Sequence, residues 1–214
     1  MTTRKVTYSQ QSLVKPPIHI RKSVAIVLSS PRLLEEERGA EIDAHRDVFR
    51  FNRAITEGFE KYCGSKETLR VMNSHVAACC SIHEPADQNF ACDIRGRRVL
   101  VVASHHRWKG AKKKIHESNK LHYLNSKTWL NKQTLFDYDC RQQASLGLML
   151  TLIVVRRRIV PDVYGFDITG EVTGHYWGDG YDSTASAFHN FATERACFQR
   201  LLDAGKIKLF ASGL

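Results

Sequence analysis

The sequence predicts an α/β fold: a single Rossmann-like domain with a mostly parallel sheet flanked by helices. Short β-branched apolar runs alternate along the chain with stretches of helical periodicity. The run Val99 to Ala103 is apolar throughout, as a central parallel strand covered on both faces must be. A length of 214 residues, 43% hydrophobic and 25% charged, fits one compact domain. Residues 1–22 read as a polar arm, with Pro16 and Pro17 ahead of the first core element, and residues 23–214 as the domain.

Each element follows from its local pattern. Ser23 to Leu28 is a β-branched run that meets Ser29, Ser30 and Pro31, so it reads as a buried strand entering a turn. Leu34 to Ala44 is an acidic, weakly helical stretch. Val48 to Phe51, Thr68 to Met72 and Val99 to Ala103 follow as strands. Ala144 to Val155 is too long for a typical strand and is flanked by charge, which makes it a buried helix. Val163 to Phe166 returns as a strand. Phe191 to Ala204 is an amphipathic helix with Phe191, Phe198, Leu201 and Leu202 on one side and Gly205 as its stop. Lys206 to Phe210 closes as a strand. In such a sheet, ligands belong at the carboxyl ends of the strands.

Composition narrows the function classes. The net charge of +10 favours polyanionic partners: nucleic acid, an anionic membrane face, acidic glycan or nucleotide phosphate. Six cysteines show no CxxC spacing, which argues against a zinc site and for free thiols in a reducing compartment. The longest apolar run, Leu146 to Val155, is closed by three arginines, well short of the ~20 residues of a membrane span. The polar N-terminus does not read as a signal peptide, so a cytoplasmic protein is expected.

Three stretches could carry chemistry. His175, Tyr176 and Trp177 follow a loop punctuated by Gly170 and Gly174, and His189 and Glu194 come next. Five helical residues separate directions by about 140°, so His189 and Glu194 cannot share one helix face. A helix starting near Asn190 instead puts His189 at its N-terminal mouth, where the dipole favours a neutral, basic ring. The alternative is a capping histidine beside a core aromatic pair. Asp137-Tyr138-Asp139 imitates the paired carboxylates that hold a divalent cation on a nucleotide diphosphate, although it reads as a solvated loop in preference to a metal motif. Lys109, Lys112, Lys113 and Lys114 beside Trp108 form a basic run that reads as a solvated face in preference to a nucleic-acid patch.

The residues from Val24 to Met72 resemble the long sialyl motif of the eukaryotic-type sialyltransferase family. The likeness is densest at Arg50-Phe51-Asn52, Thr56-Glu57-Gly58-Phe59-Glu60, Gly64-Ser65-Lys66 and Thr68-Leu69-Arg70, with Glu41-Ile42-Asp43-Ala44-His45 upstream. Ser145-Leu146-Gly147 through Val163-Tyr164-Gly165-Phe166 resembles the short motif, and His175-Tyr176-Trp177 the third. His189 and Glu194 resemble the very small motif. All four occur in family order.

This resemblance implies a variant of the GT-A glycosyltransferase fold and an inverting, metal-independent transfer of a 2-keto-3-deoxy sugar, sialic acid or Kdo, from its CMP donor. It implies His189 as the base for the acceptor hydroxyl and His175 as the phosphate ligand that helps CMP depart. It implies a nucleotide site of Ser29, Ser30, Asn52, Ser145, Leu146, Gly147, Gly170, His175 and Tyr176, with CMP-sugar as substrate and neither metal nor other cofactor. One phosphate can be met by histidine and a helix terminus alone. The acceptor is a glycan or glycolipid, with peripheral contact to an anionic membrane or lipopolysaccharide. Nucleic acid is not an expected partner, and oligomeric state is not read. The competing class is a non-catalytic or nucleic-acid-binding protein on the same fold.

The departures are specific. Leu28-Ser29-Ser30-Pro31 stands where the family has Gly-Asn-Ser-Gly, and Gly178 where many members have Glu. The family's disulfide cysteines align with Val24 and about Arg158, so that bridge is not expected. These losses fit a compact, cytoplasmic, microbial or viral version without anchor or stem.

Overall fold

The computed structural model describes residues 18–80, 96–112, 120–125, 144–178 and 189–210. Seven strands form one sheet: β1 (Val24–Val27), β2 (Asp47–Phe51), β3 (Leu69–Asn73), β4 (Arg98–Ala103), β5 (Lys120–Asn125), β6 (Asp162–Tyr164) and β7 (Lys208–Phe210). Their order is β5-β4-β3-β2-β1-β6-β7, and every described pairing is parallel. The chain therefore builds outward from β1 to β5, then crosses back to lay β6 on the free side of β1. That reversal puts a crevice at the carboxyl ends of β1 and β6, where open α/β sheets receive ligands.

The helices are α1 (Gly39–Ala44), α2 (Glu60–Cys63), α3 (Ser74–Cys80), α4 (His105–Lys112), α5 (Leu146–Arg156) and α6 (Phe191–Asp203). On one sheet face Val24, Ile26, Phe49, Leu69, Leu100 and Val163 pack with α5 and with Cys197, Phe198 and Leu201 of α6. Every α5 residue from Gly147 to Val154 is buried, as the apolar run predicts. The opposite face carries two separate clusters. Ala25, Val27, Val48, Ile42, Cys63 and Tyr164 form one, and Met72, Val99, Val101 and Ala103 form the other.

On that second face stand two buried arginines, Arg50 and Arg70, register partners on β2 and β3. Arg50 donates to the carbonyls of Lys66 (3.0 Å) and Cys63 (2.7 Å). Arg70 donates to Glu67 (2.8 Å) and to the carbonyls of Asn52 (2.8 Å) and Ala54 (3.0 Å). Buried cations thereby gather the loop that leaves β2, because each guanidinium offers several donors in a fixed fork.

The structure corrects several expectations. The end of the supposed arm is docked: Ile18 and Ile20 are buried, and Arg157 donates to the Ile18 carbonyl at 3.0 Å. Within Leu34 to Ala44 only Gly39–Ala44 is helical, with Pro31–Leu34 forming a 3-10 turn. Gly39 packs so closely on α2 that a Cβ there would lie 1.9 Å from the Glu60 carbonyl. Phe166 falls beyond β6 and packs, tilted, on Phe198 with centroids 4.0 Å apart. Phe191 is 38% exposed, because it opens α6 one turn past the end of the core. No helix among the described residues is long and apolar enough to cross a membrane.

Candidate functional site

The crevice is built from the turns after β1 and β6. Leu28 donates its N–H to Tyr164 (2.8 Å) and Ser30 to Gly165 (3.0 Å), which extends the strand pairing into both turns. Gly165 has φ +67, and a Cβ there would lie 2.9 Å from the Leu28 carbonyl oxygen. A Cβ on Gly147 of α5 would lie 2.6 Å from the Leu28 side chain. Glycine is therefore required at Gly165, where the backbone is left-handed and the approach is to backbone. Ser29 and Ser30 sit half-buried at this junction, and the Ser30 hydroxyl accepts from Arg32 N–H at 3.3 Å.

Asn52 follows β2 with φ +46, a conformation that asparagine tolerates better than most residues. Its carboxamide oxygen accepts from the Asn73 N–H (3.2 Å), and its N–H donates to the Val71 carbonyl (2.8 Å). Asn73, a residue missed by sequence reasoning, in turn accepts from Val76 N–H at 2.8 Å in the first turn of α3.

Ser145 caps α5, its hydroxyl accepting from Leu148 N–H at 3.2 Å, and Leu146 and Gly147 form the first turn. Both Ser145 donors point to Glu194 of α6: its N–H lies 2.7 Å and its hydroxyl 2.5 Å from the carboxylate oxygens. Burial pushes the Glu194 carboxyl above its ordinary range, although the Ser145 bonds and the nearby His189 pull it down. His189 precedes the Asn190 cap, at the mouth of α6 as the sequence indicates. Because it lies outside the helix, the wheel angle does not govern its relation to Glu194, and the two groups interact electrostatically.

The third-motif loop closes the other side. The half-buried His175 ring stacks on Trp177 with centroids 4.3 Å apart. Tyr176 is buried; it donates its N–H to the Ser29 carbonyl (2.9 Å) and its hydroxyl to the Ile55 carbonyl. Burial raises its phenol well above the usual tyrosine value. Its backbone N–H and its hydroxyl thus pin the loop to the turns after β1 and β2. Gly170, at φ +81, lies against the Arg195 guanidinium, 2.6 Å from a built Cβ to Cζ.

The residues singled out from the sequence therefore gather along one edge of the sheet, on the turns after its strands and on the first turns of α5 and α6. Glu194 was noted only as a motif partner, and Arg195 was missed. Asp137, Asp139, Lys113 and Lys114 lie outside the described residues. In α4, Arg107, Lys109 and Lys112 are exposed, while Trp108 stacks on Tyr123 at 4.9 Å and packs against the third cluster. Cys63 and Cys197 are buried free thiols. Among the described residues no group of three or more His, Cys, Asp or Glu could hold a metal ion.

Fold and site define an α/β protein with a crevice at the carboxyl edge of a parallel sheet. Residues 6–102 match the family model described as Glycosyltransferase family 29 (sialyltransferase). Beta-galactoside alpha-2,6-sialyltransferase 2 of Takifugu rubripes is 49% identical over 57 residues, 27% of this chain and 11% of that protein. The Homo sapiens protein of the same name is 44% identical over 62 residues, 29% of this chain and 12% of its own length. The aligned stretch is thus about a tenth of these curated relatives. The fold resembles a mammalian sialyltransferase crystallised with Gal-beta-1-3GalNAc-ortho-nitrophenol, at TM-score 0.62 and 22% identity, covering 88% of this chain and 68% of that one. It also resembles a Campylobacter jejuni sialyltransferase in complex with cytidine-5'-monophosphate, at TM-score 0.53 and 16% identity, covering 90% and 80%.

Proposed function

We propose that this protein is a CMP-sugar-dependent glycosyltransferase that moves a sialic-acid-type sugar to a glycan hydroxyl, inverting and without a metal. The observation that carries the reading is the Ser145–Glu194–His189 arrangement, which fixes a histidine at a helix mouth beside the β1–β6 crevice. The family match over residues 6–102 supports it from the sequence side.

In this reading His189 takes the proton of the acceptor hydroxyl as that oxygen attacks the anomeric carbon of the donor. The glycosidic bond to CMP breaks, and the electron pair leaves on the phosphate. His175, ordered by its stack on Trp177, meets that phosphate. Negative charge developing on the leaving group is then met by a positioned side chain. Asn52 and the turn at Ser29 and Ser30 line the nucleotide end, Gly170 flanks it, and the opening turn of α5 faces the same crevice. Ser145 contributes by way of the helix it caps, since both its donors are held by Glu194. Tyr176 contributes by holding the loop, since its ring is part of the core.

The relatives' names favour sialic acid over the eight-carbon Kdo, and the assay runs both CMP donors. A nucleotide that binds only the folded protein raises its melting temperature by mass action. CMP is expected to do so where UDP, GDP and single-stranded RNA do not, and EDTA leaves transfer unchanged. A larger shift with UDP or RNA, or EDTA inhibition rescued by manganese, overturns the proposal.

A further inference from the structure

We propose that Arg195 recognises an oxyanion of the donor, the carboxylate of the transferred sugar. The inference rests on the transferase reading above and adds to it a residue that no motif contains. Arg195 lies in the first turn of α6, next to Glu194, and so at the same edge as Ser145 and His189.

Its guanidinium is seated on the backbone of Gly170. A Cβ at that position would lie 2.6 Å from Cζ, 2.9 Å from Nη1 and 3.0 Å from Nε, so a side chain there would push the guanidinium aside. The tilted contact of Phe166 with Phe198 ties the same loop to the next turn of α6. The side chain is half-buried, yet among the described residues it forms no hydrogen bond or ion pair.

The carboxylates around it are committed elsewhere. Asp167 accepts from the Thr169 hydroxyl (2.7 Å) and Val172 N–H (2.7 Å) and faces Arg32 at 3.5 Å. Glu171 pairs with Arg32 at 2.8 Å, and Glu194 is turned to Ser145. What remains is a positioned, planar cation whose parallel N–H groups match a carboxylate or a phosphate. The donor carries both. His175 serves the phosphate in this reading, which leaves the sugar carboxylate to Arg195.

The test compares wild type, Arg195→Ala and Arg195→Lys for CMP affinity by calorimetry and for donor KM in transfer, with melting temperatures as the folding control. Removing a charge-assisted pair is expected to raise donor KM about 10- to 100-fold in Arg195→Ala while CMP affinity and melting temperature hold, with partial recovery in Arg195→Lys. Equal weakening of CMP moves the oxyanion to the phosphate and overturns the carboxylate assignment. No change in either quantity overturns the proposal and leaves the transferase reading standing. Failure of the wild type to bind CMP removes the transferase reading and this inference together.

Discussion

Glu194 and Ser145, 49 positions apart in the chain, join two helices: one buried carboxylate receives both the N–H and the hydroxyl of the α5 cap. The bonds set the first turn of α6 against the first turn of α5. His189, just ahead of α6, and Arg195, just beyond Glu194, inherit their positions from that junction. A capping hydroxyl ordinarily serves its own helix. Here it serves two, since it also accepts from Leu148 N–H at 3.2 Å.

Glu194→Ala therefore removes the carboxylate that both half-buried Ser145 donors share. Losing the two bonds costs about 1–3 kcal/mol together, to be read from urea denaturation. Glu194→Gln keeps the shape and removes the charge, which makes pH the finer probe. The folded carboxyl lies above its ordinary value of 4.5. Its contribution to stability is thus fully present below that value and is lost as pH rises through the folded pKa. The stability of wild type relative to Glu194→Gln should fall across this window. A difference that stays constant with pH would show that the carboxyl is not perturbed.

Glu67 and Arg70 have the opposite sign. Burial opposes ionisation of Glu67, but Arg70 and Arg97 more than reverse it, so its carboxyl lies below the usual range. Its stabilisation is present above the unfolded value and is lost as pH falls through the folded one. Glu67→Gln strands the buried Arg70 charge and should cost about 3–5 kcal/mol in denaturant unfolding. It also loosens the cation that holds the Asn52 and Ala54 carbonyls, so CMP affinity should drop with it. Lys61 and Glu37 form an exposed pair, and Lys61→Ala should leave stability unchanged. Equal effects from the two substitutions would contradict this account.

The contrast between these pairs shows what a sequence carries. The strands β1 to β4 are legible because each is a short, largely apolar run buried on both faces. β5 is not, because Lys120–Asn125 is an edge strand whose described burial is limited to Leu124. α3 starts at Ser74 directly after β3 ends at Asn73, so its start signal, the Asn73 side chain that accepts from Val76 N–H, lies inside the strand. In the site, His175 and His189 stand out through local context and motif spacing. The Ser145–Glu194 and Gly170–Arg195 meetings depend on how α6 lies across the sheet, which local periodicity does not encode.

The two crevice glycines should respond differently to alanine. Gly147→Ala meets only the Leu28 Cδ2 atom, which can rotate away, and gains helix propensity of about 0.5–1 kcal/mol. Its stability should change little. Gly165→Ala forces a left-handed residue, costing about 1–2 kcal/mol, and drives its Cβ onto the Leu28 carbonyl. It should lower both the melting temperature and the affinity for CMP by displacing the turn that carries Ser29 and Ser30. A larger loss from Gly147→Ala than from Gly165→Ala would mean that Leu28 is more rigid than the turn it belongs to.

The two histidines separate binding from chemistry. His189 sits at the mouth of α6, and its proposed partner is the acceptor hydroxyl. His189→Ala should lower turnover by ~10²- to 10⁴-fold, the usual contribution of a positioned base. CMP affinity should hold, because the nucleotide does not need that ring. His175 has the leaving phosphate as its proposed partner in both ground and transition states, so His175→Ala should weaken CMP binding and turnover together. Steady-state transfer assays paired with CMP calorimetry read both quantities on the same variants. Loss of turnover below tenfold in His189→Ala would remove that residue from the base role. A CMP affinity untouched by His175→Ala would mean that Trp177 stacks on His175 for structural reasons alone, leaving the phosphate to the backbone donors of the crevice.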